Sequence, residues 1–153
     1  MKILFEYNWE VRDEWLEWCK KLSPEELMKK RTGGVGSILK TMFHIIDVEI
    51  SWIYAILEKE DFQPEYNDYQ ELEKVVEFSK MYRDEMREAV LHILKDPDAH
   101  LYIPWWNQTF AKGVILRHVI AHEIHHVGQL SVWAREIGTE PVSATLLNRK
   151  CIS

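Results

Sequence analysis

The 153-residue sequence has only two cysteines, Cys19 and Cys151, placed near opposite ends of the chain. Neither has C-x-x-C spacing, so no redox motif and no thiolate metal site is indicated, and both read as incidental thiols. Basic residues never run longer than Lys29-Lys30-Arg31 and the net charge is −6, so the electrostatic footprint of a nucleic-acid binder is missing. No apolar run has the length of a membrane span. The first turns, Met1-Lys2-Ile3-Leu4-Phe5-Glu6-Tyr7-Asn8, meet acidic and polar residues too early for a secretory signal. The expectation is a soluble, cytoplasmic protein that engages neither membrane nor nucleic acid. Glycine is concentrated in one cluster, Gly33-Gly34-Val35-Gly36. No strand pattern precedes it and no G-K-[ST] follows it, which favours a plain turn over a phosphate-cradling loop. Repeats, linkers and low-complexity stretches are absent as well. With 46% hydrophobic residues and seven tryptophans, residues 1–153 read as one domain able to bury a core.

Histidine is what stands out. Four of the seven fall within nine residues, in Arg117-His118-Val119-Ile120-Ala121-His122-Glu123-Ile124-His125-His126-Val127-Gly128-Gln129-Leu130. Wound at about 100° per residue, Ile115, Val119, His122, His126, Leu130 and Trp133 form one apolar stripe, with His118 and His125 on its flank. Two imidazoles one turn apart, about 6 Å along the axis, can converge on one ion. As buried neighbours without a metal, they lose solvation and repel when protonated. Metal binding is therefore favoured over two hydrogen-bonded core histidines. The same letters spell H-E-x-x-H, but Gln129 and Val132 stand where one protease variant needs Gly and His. Only Glu136 and Glu140 follow Trp133 as acids for the other variant, too near the helix end, so a protease is disfavoured.

Helical periodicity predicts a first helix from Phe5 to Leu22, with Trp9, Trp15, Leu16 and Cys19 inside and Glu10, Arg12, Asp13, Glu17 and Lys20 outside. Ser23-Pro24-Glu25-Glu26 predicts a capped short helix to about Lys30. Ser37 caps a long helix from Ile38 to about Lys59, whose inner stripe runs through Thr41, His44, Val48, Trp52 and Ala55. His44 so placed is the third imidazole a site needs, with Asp47 nearer to it around the helix than Glu49. Asp61 to Tyr69 is a loop, and Gln70 to Lys95 a third long helix ended by Asp96-Pro97-Asp98. His100 to Phe110, aromatic and β-branched around Pro104, is a non-helical arm, extended or a small hairpin. In an extended arm, one of Trp105 and Trp106 covers the bundle end and the other lines a cavity, the alternative being a purely structural lid. A last helix from about Ala111 to Ile137 stops at Gly138, and Pro141 to Leu147 adds one turn. The fold expected is all-α, a four-helix bundle with metal ligands on facing helices.

His44, the His122-to-Leu130 segment and Phe5-Glu6-Tyr7-Asn8-Trp9 together resemble the DinB/YfiT family of four-helix-bundle proteins, over nearly the whole chain. The resemblance implies a three-histidine divalent-metal site formed by His44, His122 and His126. Val127 stands where many members have Arg, which removes a cation near the site. It also implies metal-dependent transfer of a low-molecular-weight thiol such as bacillithiol or mycothiol, with a metal-dependent hydrolase and a non-catalytic stress-response protein as alternatives. Three imidazoles accept zinc or nickel, and also iron or copper. Trp52, Tyr102, Trp105 and Trp106 are the expected walls of a substrate pocket. Glu123, about 60° around the helix from His126, is the expected base on a bound water or support to a ligand. A homodimer is expected too, because Leu116, Ile120, Ile124, Val127 and Ala134 make the last helix apolar on its other side, and because relatives are commonly dimeric; the alternative is cover from the C-terminal segment Val142 to Ile152.

Overall fold

Ser37 Oγ accepts the Lys40 amide at 3.2 Å, and from that cap the helix α3 runs over Ile38–Ile56 in this computed structural model, which describes residues 1–152. It stops short of Lys59 because Glu58 takes a left-handed φ of 55°. The Glu58 amide then reaches the Ala55 carbonyl at 3.1 Å, and the Lys59 amide the Tyr54 carbonyl at 2.9 Å. Upstream, α1 spans Lys2–Cys19, and Lys20 to Leu22, expected inside it, form tightened turns back to the Glu17, Trp18 and Cys19 carbonyls. Ser23 caps the short α2, Pro24–Met28, as its sequence predicts. Tyr66–Tyr69 is a single 3-10 turn before α4, Leu72–Ile93. The helix α5, Lys112–Ile137, ends at Gly138, whose φ of 86° lets the Thr139 amide reach the Ala134 carbonyl at 3.0 Å.

The arm before α5 is a hairpin. Its strands β1, His100–Ile103, and β2, Gln108–Ala111, pair antiparallel with Tyr102 opposite Thr109. Pro104–Trp106 forms a 3-10 turn between them, and Asn107 at φ 51° supplies the left-handed residue that turns the chain back. Its root is tied to α5 by Lys112 and Gly113 amides donating to the Ala99 and Pro97 carbonyls at 2.8 and 2.7 Å.

The four long helices α1, α3, α4 and α5 form the bundle, α3 packing on α4 and α5 and α1 on the same two from the other side. Trp9, Trp15, Met42, Ile46, Ile53, Phe78, Val90, Leu116 and Leu130 are part of one continuous apolar core. Arg12, expected on the outer face of α1, is instead 2% exposed. Thr41 of the predicted α3 stripe is buried, but His44, Val48, Trp52 and Ala55 are only half-buried, because that stripe borders a cleft while Ile38, Met42, Ile45, Ile46, Glu49 and Ile53 face the core.

Leu116, Ile120, Val127 and Ala134 are all buried within the single chain, leaving Ile124, 44% exposed, as the open member of that face. Residues 141 to 147, expected to add a helical turn, run without one, and the turn forms at Lys150–Ile152. Their carbonyls are taken by side chains: Tyr7 donates to Ala144 at 2.7 Å, and Arg149 donates to Thr145 at 2.7 Å and to Ser143. This tail packs the partly buried Val142 and Leu146 against the core. Among the described residues no helix is long and apolar enough to cross a membrane.

Candidate metal centre

Two facing helices bring three imidazoles together. Nε2 of His122 on α5 lies 3.1 Å from Nε2 of His44 on α3 and 3.2 Å from Nε2 of His126, one turn along α5. All three ring nitrogens lie within 4.8 Å of one another, and the ring centroids are 4.5 to 4.9 Å apart. Nitrogens held about 2.1 Å from one ion stand about 3.4 Å apart at tetrahedral angles and about 3.0 Å apart at right angles. The His44–His122 and His122–His126 separations lie between these, and with the third pair also within 4.8 Å the donor set is compatible with one divalent ion.

The electrostatics fit as well. Burial, with the positive charge that neighbouring histidines and Lys40 would add, lowers the His44 pKa to about 4. Burial first, and then the charge of neighbouring histidines, lowers His122 to about 3 and also depresses His126, where the Gln129 hydrogen bond opposes the fall. All three rings are therefore neutral at pH 7, as metal ligands must be. His126 Nδ1 lies 2.8 Å from Gln129 Oε1, an acceptor only, so the ring proton sits on Nδ1 and Nε2 keeps its lone pair for the centre. Gln129 Nε2 in turn approaches Nε2 of the exposed His125 at 3.3 Å.

Because the folded pKa values lie below the unfolded value of about 6.5, the metal-free folded chain binds fewer protons than the unfolded chain as pH falls. Its stability should fall from about pH 6.5 downward, towards the folded values of about 4 and 3. NMR titration of the metal-free protein checks this directly: His44 and His122 ring signals should stay in the neutral form at pH 5.5. Midpoints near 6.5 for both would refute it.

Glu123 is placed for a different duty from the one expected. It is buried at 2% exposure, and its two oxygens accept from Arg12 Nε at 2.8 Å and Nη2 at 2.6 Å. Arg12 also donates to both oxygens of Glu49, at 3.1 and 2.8 Å, and Trp9 Nε1 donates to Glu49 at 3.0 Å. A carboxylate held so by a guanidinium is no free base. Glu123 and Glu49 instead clamp α5 and α3, the two helices that carry the histidines, onto α1. Burial raises the Glu123 pKa, and Arg12 opposes the rise. Asp47, expected nearest to His44, is pushed up to about 6 by burial and by Asp61.

Beside the histidines is an aromatic cleft. His118 lies 6.3 Å from His122 between ring centroids and 5.4 Å from Trp52, and Trp52 packs on Trp105 at 5.5 Å and Trp106 at 5.2 Å. In the 3-10 turn the two hairpin tryptophans do not point apart as an extended arm would have them. Both flank Trp52, while staying 60% and 49% exposed. One cavity of about 320 Å³ is lined by Val48, Ser51, Trp52, Ala55, Lys59, Asp61 and Trp105, and another of about 160 Å³ by Trp52, Trp106, Phe110, Val114, Ile115 and His118. Tyr102 lines neither. Its hydroxyl donates within the hairpin to Asn107 Oδ1 at 2.9 Å. Sequence reasoning missed His118 as a wall residue, although it sits one turn before His122 on the same side. It also gave Gln129 no role, although three residues after His126 is hydrogen-bonding distance on a helix.

The comparisons with known proteins agree with this architecture. A model of the DinB family matches residues 1–151. A Bacillus subtilis (strain 168) protein described as uncharacterized protein YizA is 50% identical over 151 residues, which cover 97% of this chain and 95% of that protein. The crystal structure of a DinB-like protein from Bacillus cereus ATCC 10987 superposes with a TM-score of 0.71 at 20% identity, covering 92% of this chain and 93% of that one, and it shares the fold. With a four-helix bundle, a three-histidine cluster across two of its helices and a family match along almost its whole length, this chain belongs to the DinB family.

Proposed function

We propose that the protein is a metal-dependent transferase that joins a low-molecular-weight thiol to a small electrophile in the cleft beside His44, His122 and His126. The observation that carries this reading is the convergence of three neutral imidazole nitrogens at the edge of an aromatic-walled cleft. Bound there, a divalent ion would act as a Lewis acid that lowers a thiol's pKa into the physiological range and leaves a coordination position open. His44, His122 and His126 would hold the ion. Gln129 fixes the His126 tautomer. Trp52, Trp105, Trp106 and His118 supply ring faces on which the body of an electrophile can stack. Glu123 acts as a clamp through Arg12, not as a base.

A hydrolase is the second reading, favoured by the half-buried state of His44 and His122, which leaves water a way in. The two are separated by incubating metal-loaded protein with monochlorobimane, with and without each candidate thiol, and following conjugation and hydrolysis together. Conjugation that requires the thiol and vanishes in His44→Ala is the expected result. Turnover without thiol would replace the transferase by the hydrolase, and no turnover in any combination would leave a metal-binding protein without catalysis.

A further inference from the structure

The glycine cluster between α2 and α3 reads as a plain turn in the sequence, but in the fold it lies against α5. The Trp133 indole donates from Nε1 to the Thr32 carbonyl at 3.2 Å, and the Arg31 amide donates to the Gly36 carbonyl at 2.7 Å. The loop is thereby pinned at both ends. Between these pins Gly34 comes so close to Gln129 that a Cβ there would stand 2.7 Å from Oε1 and 3.3 Å from Cδ. Trp133 Cη2 would be 3.0 Å away on the other side. That Oε1 is the atom that accepts from His126 Nδ1.

From this juxtaposition we infer that Gly34 is a positioning residue of the metal centre: its bare Cα leaves Gln129 room to hold the His126 ring, so the loop sets metal affinity without touching the metal. The inference rests on the three-histidine metal reading above. A methyl group at 34 would be met by the rigid, buried Trp133 and the flexible tip of Gln129, so Gln129 is what gives way. Withdrawing Oε1 frees the His126 ring to rotate and removes the acceptor that keeps its proton on Nδ1. The contact by itself disturbs the fold little, because the far end of one half-buried side chain absorbs the movement; the backbone strain of an alanine at the Gly34 φ of 53° comes in addition.

Two neighbours provide the control. Gly33 and Gly36 also have positive φ, 86° and 102°, but a Cβ at either meets nothing within 4 Å. Gly33→Ala therefore introduces the backbone strain of a left-handed alanine without the push on Gln129. The test measures the zinc dissociation constant of the full chain by competition with a chromophoric chelator, and the visible spectrum of the cobalt-loaded form. Gly34→Ala should bind zinc about 10- to 100-fold more weakly than wild type, with an altered cobalt spectrum, as losses of a ligand's hydrogen-bonding partner do. Gly33→Ala should stay within about twofold, since it leaves that partner in place. Gln129→Ala should reproduce the Gly34→Ala loss, and adding Gly34→Ala to it should cost no more than adding Gly33→Ala. That double variant relieves the shortest contact, so it keeps the comparison available if Gly34→Ala alone fails to fold. Equal affinities for Gly33→Ala and Gly34→Ala, or full additivity with Gln129→Ala, would overturn the inference while leaving the metal centre standing. Wild-type protein that takes up neither zinc nor cobalt would overturn the metal centre itself.

Discussion

Replacing His122 by alanine is expected to take bound divalent metal from about one ion per chain to almost none, whereas His125→Ala keeps its metal. His122 Nε2 is the shared vertex of the cluster, within 3.1 Å of His44 and 3.2 Å of His126, so its removal leaves two nitrogens with no common third donor. His125 is exposed, and its nearest polar partner in the structure is Gln129 at 3.3 Å. Elemental analysis of purified protein gives the stoichiometry. Thermal melts give an independent reading: zinc at about 100 times its dissociation constant adds about 2.7 kcal/mol, or roughly 5 to 10 °C for a chain of this size, to any variant that binds it. Wild type and His125→Ala should show that rise and His122→Ala should not. Metal retained undiminished in His122→Ala would refute the assignment.

Arg12→Met should be the most destabilising single change at a charged residue, by about 3 to 5 kcal/mol at pH 7. The substitution preserves much of the volume but strands two carboxylates, Glu49 and Glu123, whose side chains are each 3% exposed. Burial already raises the Glu123 pKa with Arg12 beside it, so removing the guanidinium raises the folded value further above the unfolded one. A folded state that binds more protons than the unfolded state gains stability as pH falls. The penalty should therefore be largest at neutral pH and shrink towards pH 5, a sign that loss of packing alone would not produce. Lys20→Met, which breaks the half-exposed Lys20–Glu17 pair, is the comparison and should cost no more than about 1 kcal/mol. Urea titrations of the three proteins at pH 7 and pH 5 measure both quantities. An Arg12→Met penalty below about 1 kcal/mol, or one independent of pH, would show that the buried network contributes little.

Much of the bundle is legible along the chain because its signals are local. The Ser23 and Ser37 caps and the stop at Gly138 each act within a few residues, and the structure shows all three. His44, His122 and His126 are legible for a related reason. Helical geometry fixes which residues share a stripe, and a histidine among apolar neighbours is rare enough to mark its helix. The limits are equally particular. Arg12 carries the strongest marker of a solvent face, yet its partners come from positions 37 and 111 residues further along the chain. Glu123 is spelled into an H-E-x-x-H pattern, but the direction of its carboxylate depends on whether a cation arrives on its side of α5.

The sequence by itself therefore determined the helices, their caps and which imidazoles lie one turn apart, because period and capping are properties of neighbours in the chain. Only the tertiary structure decided that the α3 stripe borders a cleft, that Glu49 and Glu123 share Arg12, that both hairpin tryptophans flank Trp52 and that Gln129 occupies the space a Cβ at position 34 would need. Each of these is a contact between segments far apart in sequence, and its geometry depends on how α1, α3 and α5 rotate as their apolar faces pack, which no single helix encodes.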